Sequence, residues 1–263
     1  QTEFECEFLG SIDTLINASK LKTMAIIDPK RSPDGLDVYE MPIKNHTYVT
    51  TVDVARGVNN DYSAFIVFDA TQAPYKIVAK YRNNDIKPIV FPNILKRIAD
   101  YYNKAYVLIE INDLGQQVAD AMQFELEYDN MMMVTQRGSA GQVLGGGFSG
   151  RGNQLGLRMT KGTKKIGTSN LKSLIEGDKL IIQDFEIVSE LSTFISKGKS
   201  FEAENGAHDD LVMCLVIFSW CANQRYFKEL TNVDVRGQMF TEQQNAIEQD
   251  MAVSYTHLTL PTT

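Results

Sequence analysis

Three places in the sequence put carboxylates where the surrounding pattern calls for apolar side chains. Asp53 lies within Thr51-Val52-Asp53-Val54-Ala55, Glu110 closes Val107-Leu108-Ile109-Glu110, and Asp209-Asp210 run directly into Leu211-Val212-Met213-Cys214-Leu215. An ionised carboxylate inside an apolar run is costly unless it is paired or bound to a metal. If the strands carrying Asp53 and Glu110 are neighbours, their acids converge at one edge of a sheet. A helix opening at Asp210 and packing on that sheet adds a third. Clustered carboxylates raise one another's pKa until cations neutralise them. Hard oxygen donors of this kind favour Mg²⁺ or Mn²⁺, ions that also bind phosphates. Each acid also has an ordinary structural role. Asp53 can end a strand, Glu110 can be an ion-pair partner, and one of Asp209 and Asp210 can cap the helix. Successive helical positions point about 100° apart, so a cap accounts for one aspartate and leaves the other free to face elsewhere.

The elements needed to position these acids are legible in the hydrophobic pattern. Tyr48–Val54, Ser63–Asp69 and Tyr75–Tyr81 are short β-branched and aromatic runs that read as an antiparallel meander. Pro92–Tyr102 has helical spacing with proline in the first turn, and Tyr106–Ile111 reads as a buried, parallel strand. A helix from Gly115 to about 128 and a strand over Met131–Thr135 follow, giving a mixed α/β sheet. Further on, Asn170–Glu176 reads as helix, Lys179–Gln183 as strand, Glu186–Ile195 as helix and Lys199–Glu204 as strand. The apolar stretch from Asp210 to Phe227 reads as one helix. Residues 28–42, with three prolines, read as a linker or surface arm.

Composition narrows the class. The chain has 263 residues, 43% of them hydrophobic, which excludes wholesale disorder. Three cysteines, Cys6, Cys214 and Cys221, are too few and too badly spaced for a disulfide framework or a Cys-based zinc site, and point to a reducing setting. The apolar run Leu211–Cys221 is too short to span a bilayer, and the first residues lack a signal-peptide pattern. A chain opening on Gln1 reads as a piece of a longer protein. Val253–Thr263 continues no pattern and reads as translated vector sequence.

Three motifs carry a family resemblance. Thr51-Val52-Asp53-Val54-Ala55-Arg56-Gly57, followed by Asp61-Tyr62-Ser63-Ala64, resembles the first two nuclease strands of the large terminase subunits of tailed bacteriophages, most closely the T-even-like myovirus group. Val107-Leu108-Ile109-Glu110-Ile111-Asn112-Asp113 with Gly115 is similar to that family's second acidic motif, and His208-Asp209-Asp210-Leu211-Val212-Met213 to its third. Glu5-Cys6-Glu7-Phe8-Leu9-Gly10 resembles the stretch where the family's ATPase domain hands over to the nuclease. The resemblance implies a ribonuclease H-like mixed sheet flanked by helices. It divides the chain into a linker or hinge over 1–42, a nuclease domain over 43–252 and the foreign tail over 253–263. It also implies a metal-dependent endonuclease that cuts concatemeric double-stranded viral DNA with two Mg²⁺ or Mn²⁺ ions. Asp53, Glu110 and Asp210 match the metal-binding acids, with Asp209 as cap or secondary ligand and His208 as a structural or orienting neighbour. The implied partners are the ATPase domain of the same protein, the portal and the small terminase subunit, in the host cytoplasm and without a membrane.

The net charge of −7 conceals a segregated distribution. Between 137 and 172 stand seven basic residues, namely Arg137, Arg151, Arg158, Lys161, Lys164, Lys165 and Lys172, and no acidic one. Basic residues among glycines approach a phosphate backbone without reading bases. Val143-Leu144 and Leu155-Gly156-Leu157 predict a basic β-hairpin arm there, with all but Lys172 expected on DNA; the alternative is a solvated loop. The nominal dinucleotide fingerprint Gly145-x-Gly147-x-x-Gly150 lacks its strand and helix, and the sequence has no P-loop motif. Trp220 and Cys221 are expected to be buried, without a chemical role. Two other functions compete with the packaging nuclease. One is a resolvase- or transposase-like nuclease of the same fold; the other is a non-catalytic module docking on DNA or portal.

Overall fold

A computed structural model describes residues 13–31, 35–55, 62–137, 141–145 and 153–231, with the side chains of Arg31 and Arg137 left out of that description. The chain begins with α1 (Ala18–Lys22), β1 (Lys30–Arg31) and β2 (Leu36–Val38). The meander β3 (Tyr48–Asp53), β4 (Ser63–Asp69) and β5 (Tyr75–Asn83) leads to α2 (Phe91–Tyr101), β6 (Tyr106–Ile109) and α3 (Gly115–Asp120). A π-helical turn, Ala121–Glu125, prolongs α3. Next come β7 (Met133–Arg137), β8 (Gly141–Leu144), β9 (Asn153–Leu155) and α4 (Lys161–Glu176). The described chain ends with β10 (Leu180–Ile181), α5 (Phe185–Thr193), β11 (Phe194–Lys197), β12 (Ser200–Ala203), α6 (Asp210–Ala222) and α7 (Arg225–Thr231).

The main sheet has the order β1-β2-β5-β4-β3-β6, with β10 parallel to the start of β5. β3, β4 and β5 are antiparallel neighbours, and β6 joins β3 in parallel with Val52 opposite Ile109. The meander and the parallel strand therefore stand as the hydrophobic runs predict. Alternation then splits the sheet into two faces. Val52, Phe65, Val67, Tyr81, Val107 and Ile109 face the core built with α2 and α3. Val49, Ala64, Ile66, Phe68 and Leu108 face the core built with α4, α5 and α6. Because Asp53 is four residues from Val49, and Glu110 two from Leu108, both acids belong to the α6 side. α6 is buried on all sides from Leu211 to Ala222, Trp220 and Cys221 included, as a central helix must be.

Several segments depart from the sequence expectation. Residues read as a linker or surface arm contribute β2, which pairs antiparallel with β5, and upstream of them Leu15, Ile16 and Leu21 enter the core. The expected hairpin arm is a three-stranded sheet in the order β8-β7-β9. β8 and β9 pair with opposite edges of β7 and not with each other. α4 starts at Lys161 rather than Asn170, because the Thr160 hydroxyl accepts the Thr163 N–H at 3.1 Å and caps it. Gly162 and Gly167 weaken the helical signal in the sequence. Gly167 is there for contact: a Cβ at that position would lie 2.7 Å from Val216, so its absence lets α4 cross closely over α6. The predicted single helix to Phe227 breaks at Asn223, the cap of α6, and resumes as α7. The strand β11 also replaces the end of the expected Glu186–Ile195 helix. Among the described residues no helix is long and apolar enough to cross a membrane.

Gly115 supports the second acid directly, since a Cβ there would lie 1.7 Å from the Glu110 carbonyl oxygen. Gly115→Ala is expected to force α3 or the Glu110 backbone aside and to cost about 1–3 kcal/mol. A lowered midpoint in urea unfolding checks this; an unchanged midpoint contradicts the close contact.

Candidate active site

The acids meet at the C-terminal ends of β3 and β6. The Glu110 N–H donates to the Val52 carbonyl at 2.9 Å, which seats Glu110 beside Asp53 on the adjacent strand. Asp53 stands opposite Ala64, and Ala64 opposite Arg82, so an acid and a base flank a small residue in one cross-strand row. α6 lies over that row, anchored where the Thr51 hydroxyl donates to the Cys214 carbonyl at 2.8 Å. Its first turn presents Asp210, whose Oδ1 accepts the Tyr62 N–H at 3.3 Å.

The helix cap differs from expectation. Asp209 occupies the cap position, yet its side chain makes no capping bond. Glu190 of α5 accepts the N–H groups of Leu211 and Val212 at 2.9 and 3.1 Å instead. A buried carboxylate from a neighbouring helix thus satisfies the helix start, and both aspartates are released from that duty. Asp209 Oδ2 lies 3.9 Å from Lys164 Nζ. Arg82 braces the other side, with Nη2 3.2 Å from Glu190 Oε1 and 3.7 Å from Asp210 Oδ2. Its guanidinium lies 3.9 Å over the Tyr62 ring. His208 meets Tyr62 edge-on and sits 3.9 Å from Asp210 Oδ2.

Electrostatics mark the cluster as short of positive charge. Burial pushes Asp53 well above the usual carboxylate range, and the charges of Glu110, Asp210 and Asp209 push the same way, against Lys164. Burial raises Glu110 to about 7, opposed by Lys164 and reinforced by Asp209 and Asp113. Asp210 is also raised by burial, opposed chiefly by Arg82, and its Oδ2 is buried without a hydrogen-bond partner. Among the described residues, no three His, Cys, Asp or Glu side chains stand gathered tightly enough to hold a metal ion as they are.

The structure therefore brings Asp53, Glu110, Asp209 and Asp210 to one sheet end. Of the predicted DNA contacts, Arg158, Lys161 and Lys165 are exposed, whereas Lys164 turns into the acid cluster. Arg151, the Arg137 side chain, Arg56, Gly57, Gly147 and Gly150 lie outside the described residues, as do Cys6 and the segment from 232 to the end. Sequence reasoning missed Arg82 and Glu190. A base at the end of an apolar strand was a usable signal for the first. Glu190 shows itself only through its helix neighbours.

The sequence pattern of the family described as Terminase RNaseH-like domain matches residues 50–218. The chain belongs to that family. Among solved structures, the large terminase nuclease from thermophilic phage G20c with bound magnesium is similar at 21% identity and a TM-score of 0.61, over 80% of this chain and 97% of that one. The same nuclease with bound cobalt matches at 21% identity and a TM-score of 0.60, over 80% and 97%. The Thermus phage P74-26 large terminase nuclease domain matches at 20% identity and a TM-score of 0.56, over 78% and 93%. At these identities the likeness is one of fold, and it makes the mixed sheet of this terminase domain RNase H-like.

Glu190 is pushed up to about 7, first by burial and against the pull of Arg82. A carboxyl raised in the fold binds more protons folded than unfolded, so it weakens the domain as pH rises from its unfolded value through about 7. Glu190→Gln is expected to keep the cap through its amide oxygen and to flatten that part of the stability–pH curve. Glu190→Ala loses both N–H bonds and removes the nearer of Arg82's two carboxylate partners, at a cost of about 1–3 kcal/mol. Urea unfolding at pH 5 and pH 8 in chelator separates the two variants; equal slopes for wild type and Glu190→Gln would sink the assignment.

Proposed function

We propose that this domain is the metal-dependent endonuclease of a viral DNA-packaging terminase, hydrolysing phosphodiester bonds of concatemeric double-stranded DNA with little sequence specificity. The observation that carries it is the meeting of Asp53, Glu110, Asp209 and Asp210 at one sheet end, within a terminase-family domain. The chemistry of the donor set suits a divalent cation, which would draw the side chains closer together than they stand. The set consists of hard carboxylate oxygens, one of them buried without a hydrogen bond, and the acids raise one another's pKa. Asp53, Glu110 and Asp210 would hold Mg²⁺ or Mn²⁺, two ions in all, with Asp209 as a further donor. Bound cations of this kind supply water activation and stabilisation of the departing 3′-oxygen.

The chain's own residues supply positioning. Asp53 and Glu110 are fixed by two paired strands, and Arg82 favours the ionised form of Asp210. No histidine is required as a base. Arg158, Lys161 and Lys165, exposed in the basic segment, contact phosphates of the duplex without reading bases, and Arg137 and Arg151 belong to the same basic stretch of the sequence. The partners are the DNA, the ATPase domain of the same protein, the portal and the small terminase subunit, at the assembly site in the host cytoplasm.

Asp53→Asn is expected to abolish Mg²⁺-dependent plasmid cleavage while the domain stays folded. In chelator its melting temperature should equal or exceed that of wild type, because a like charge has been removed. Mn²⁺ should raise the melting temperature of wild type only. Full cleavage by the variant would falsify the metal-site assignment. Preference for four-way junctions over linear DNA would instead favour a resolvase-like enzyme.

Neutralising Arg158, Lys161 and Lys165 together is expected to weaken DNA binding and to lower the slope of log K against log salt by about 2–3. A salt slope equal to that of wild type rules these residues out as phosphate contacts.

A further inference from the structure

Lys164 has surroundings unlike those of its basic neighbours. Lys161 and Lys165 are exposed, whereas the Lys164 side chain retains 19% exposure and ends 3.9 Å from Asp209 Oδ2. Its ammonium also lies 5.6 Å over the Phe194 ring, which lends it a second, apolar wall. A lysine placed for DNA would extend into solvent from the same helical turn.

Its position is over-determined by the second acidic motif. The Leu157 N–H donates to the Ile109 carbonyl at 2.8 Å and the Ile111 N–H to the Leu157 carbonyl at 2.9 Å, so residue 157 is laid along the strand that ends in Glu110. Asn112 then grips Met159 twice, donating to its carbonyl at 3.0 Å and accepting its N–H at 3.1 Å. Thr160 caps α4, and the Lys164 N–H donates to the Thr160 carbonyl at 2.8 Å. The close crossing at Gly167 and Val216 brings this first turn against α6. A cation in the first turn of a helix opposes the helix dipole, so local energetics do not explain it. Nearby carboxylates do: its charge works against protonation of both Glu110 and Asp53.

We propose that Lys164 is a built-in counter-cation of the acid cluster, a positioning residue that engages Asp209 and occupies part of the space and charge balance open to metal. The proposal rests on the metal-centre assignment above. Arg82 and Lys164 then bracket the acids from two sides, Arg82 at Asp210 and Lys164 at Asp209. The cluster can persist before metal arrives, and Asp209 is withheld from the ion until Lys164 yields.

The test is calorimetric titration of Mn²⁺ into wild type, Lys164→Met, Lys164→Gln, Lys164→Arg and Asp53→Asn, beside DNA binding across a salt series in chelator. Lys164→Met and Lys164→Gln are expected to bind Mn²⁺ about threefold or more tighter, because a competing positive charge has gone from the site. Both should keep the wild-type salt slope for DNA, and Lys164→Arg should return Mn²⁺ affinity towards wild type. Unchanged or weaker Mn²⁺ binding by the two neutral variants overturns the proposal, and a salt slope lowered by about one would make Lys164 a phosphate contact. If Asp53→Asn binds Mn²⁺ as wild type does, the metal-centre assignment itself fails, whatever Lys164 shows. Using two neutral variants of different polarity keeps the outcome readable if one of them folds poorly.

Discussion

Repulsion among carboxylates collected at one end of a sheet is the constraint around which this domain is arranged. Asp53, Glu110, Asp209 and Asp210 come from two strands and a helix, and left to themselves they would separate or bind protons. The fold opposes that tendency with rigid apolar packing on both faces of the sheet and with two placed cations. Arg82 and Lys164 reach the cluster from different elements, and each is itself held, one over the Tyr62 ring and the other above Phe194. The acids are thus kept near one another at an electrostatic cost that a divalent ion would relieve.

The rigidity has a traceable route. Lys80, 1% exposed and two residues before Arg82 on the same strand face, pairs with Asp184 at 2.6 Å, with Asp37 at 3.4 Å and with Glu186. Asp184 also caps α5, accepting the Ile187 N–H at 2.7 Å. α5 carries Glu190, and Glu190 caps α6 and so sets where Asp210 projects. Burying Lys80 is costly in isolation, and its removal would strip the buried Asp184 carboxylate of its cation. The network explains why α5, which contributes none of the four clustered acids, is tied so firmly to the sheet.

Much of the scaffold is legible in the sequence because its elements are defined by local periodicity. The three meander strands and the parallel strand before Glu110 follow from β-branched alternation and from a continuous apolar run. The acids stand out because they interrupt those patterns. The first turns of α4, within the segment expected to form a hairpin arm, are not legible in this way. Gly162 and Gly167 sit inside α4, and the structural purpose of Gly167 lies in a contact with Val216, far along the chain. The proline-rich arm is likewise more than a linker, since β2 is only three residues long, too short to show a period, and is ordered by its partners β1 and β5.

The sequence by itself determined which residues are candidates for chemistry and that strands of a mixed sheet would carry two of them; the pairing of β3 with β6 decided that those strands are neighbours. Tertiary structure decided how those candidates are used. Asp209 loses its expected capping role because Glu190 arrives from another helix, and Lys164 leaves the exposed row of Lys161 and Lys165 because α4 packs closely on α6, where it faces Asp209. Arg82 becomes part of the site through register across Ala64. Charge type and local period are properties of consecutive residues. Charge balance depends on distances between residues remote in sequence, and only the packed chain sets those.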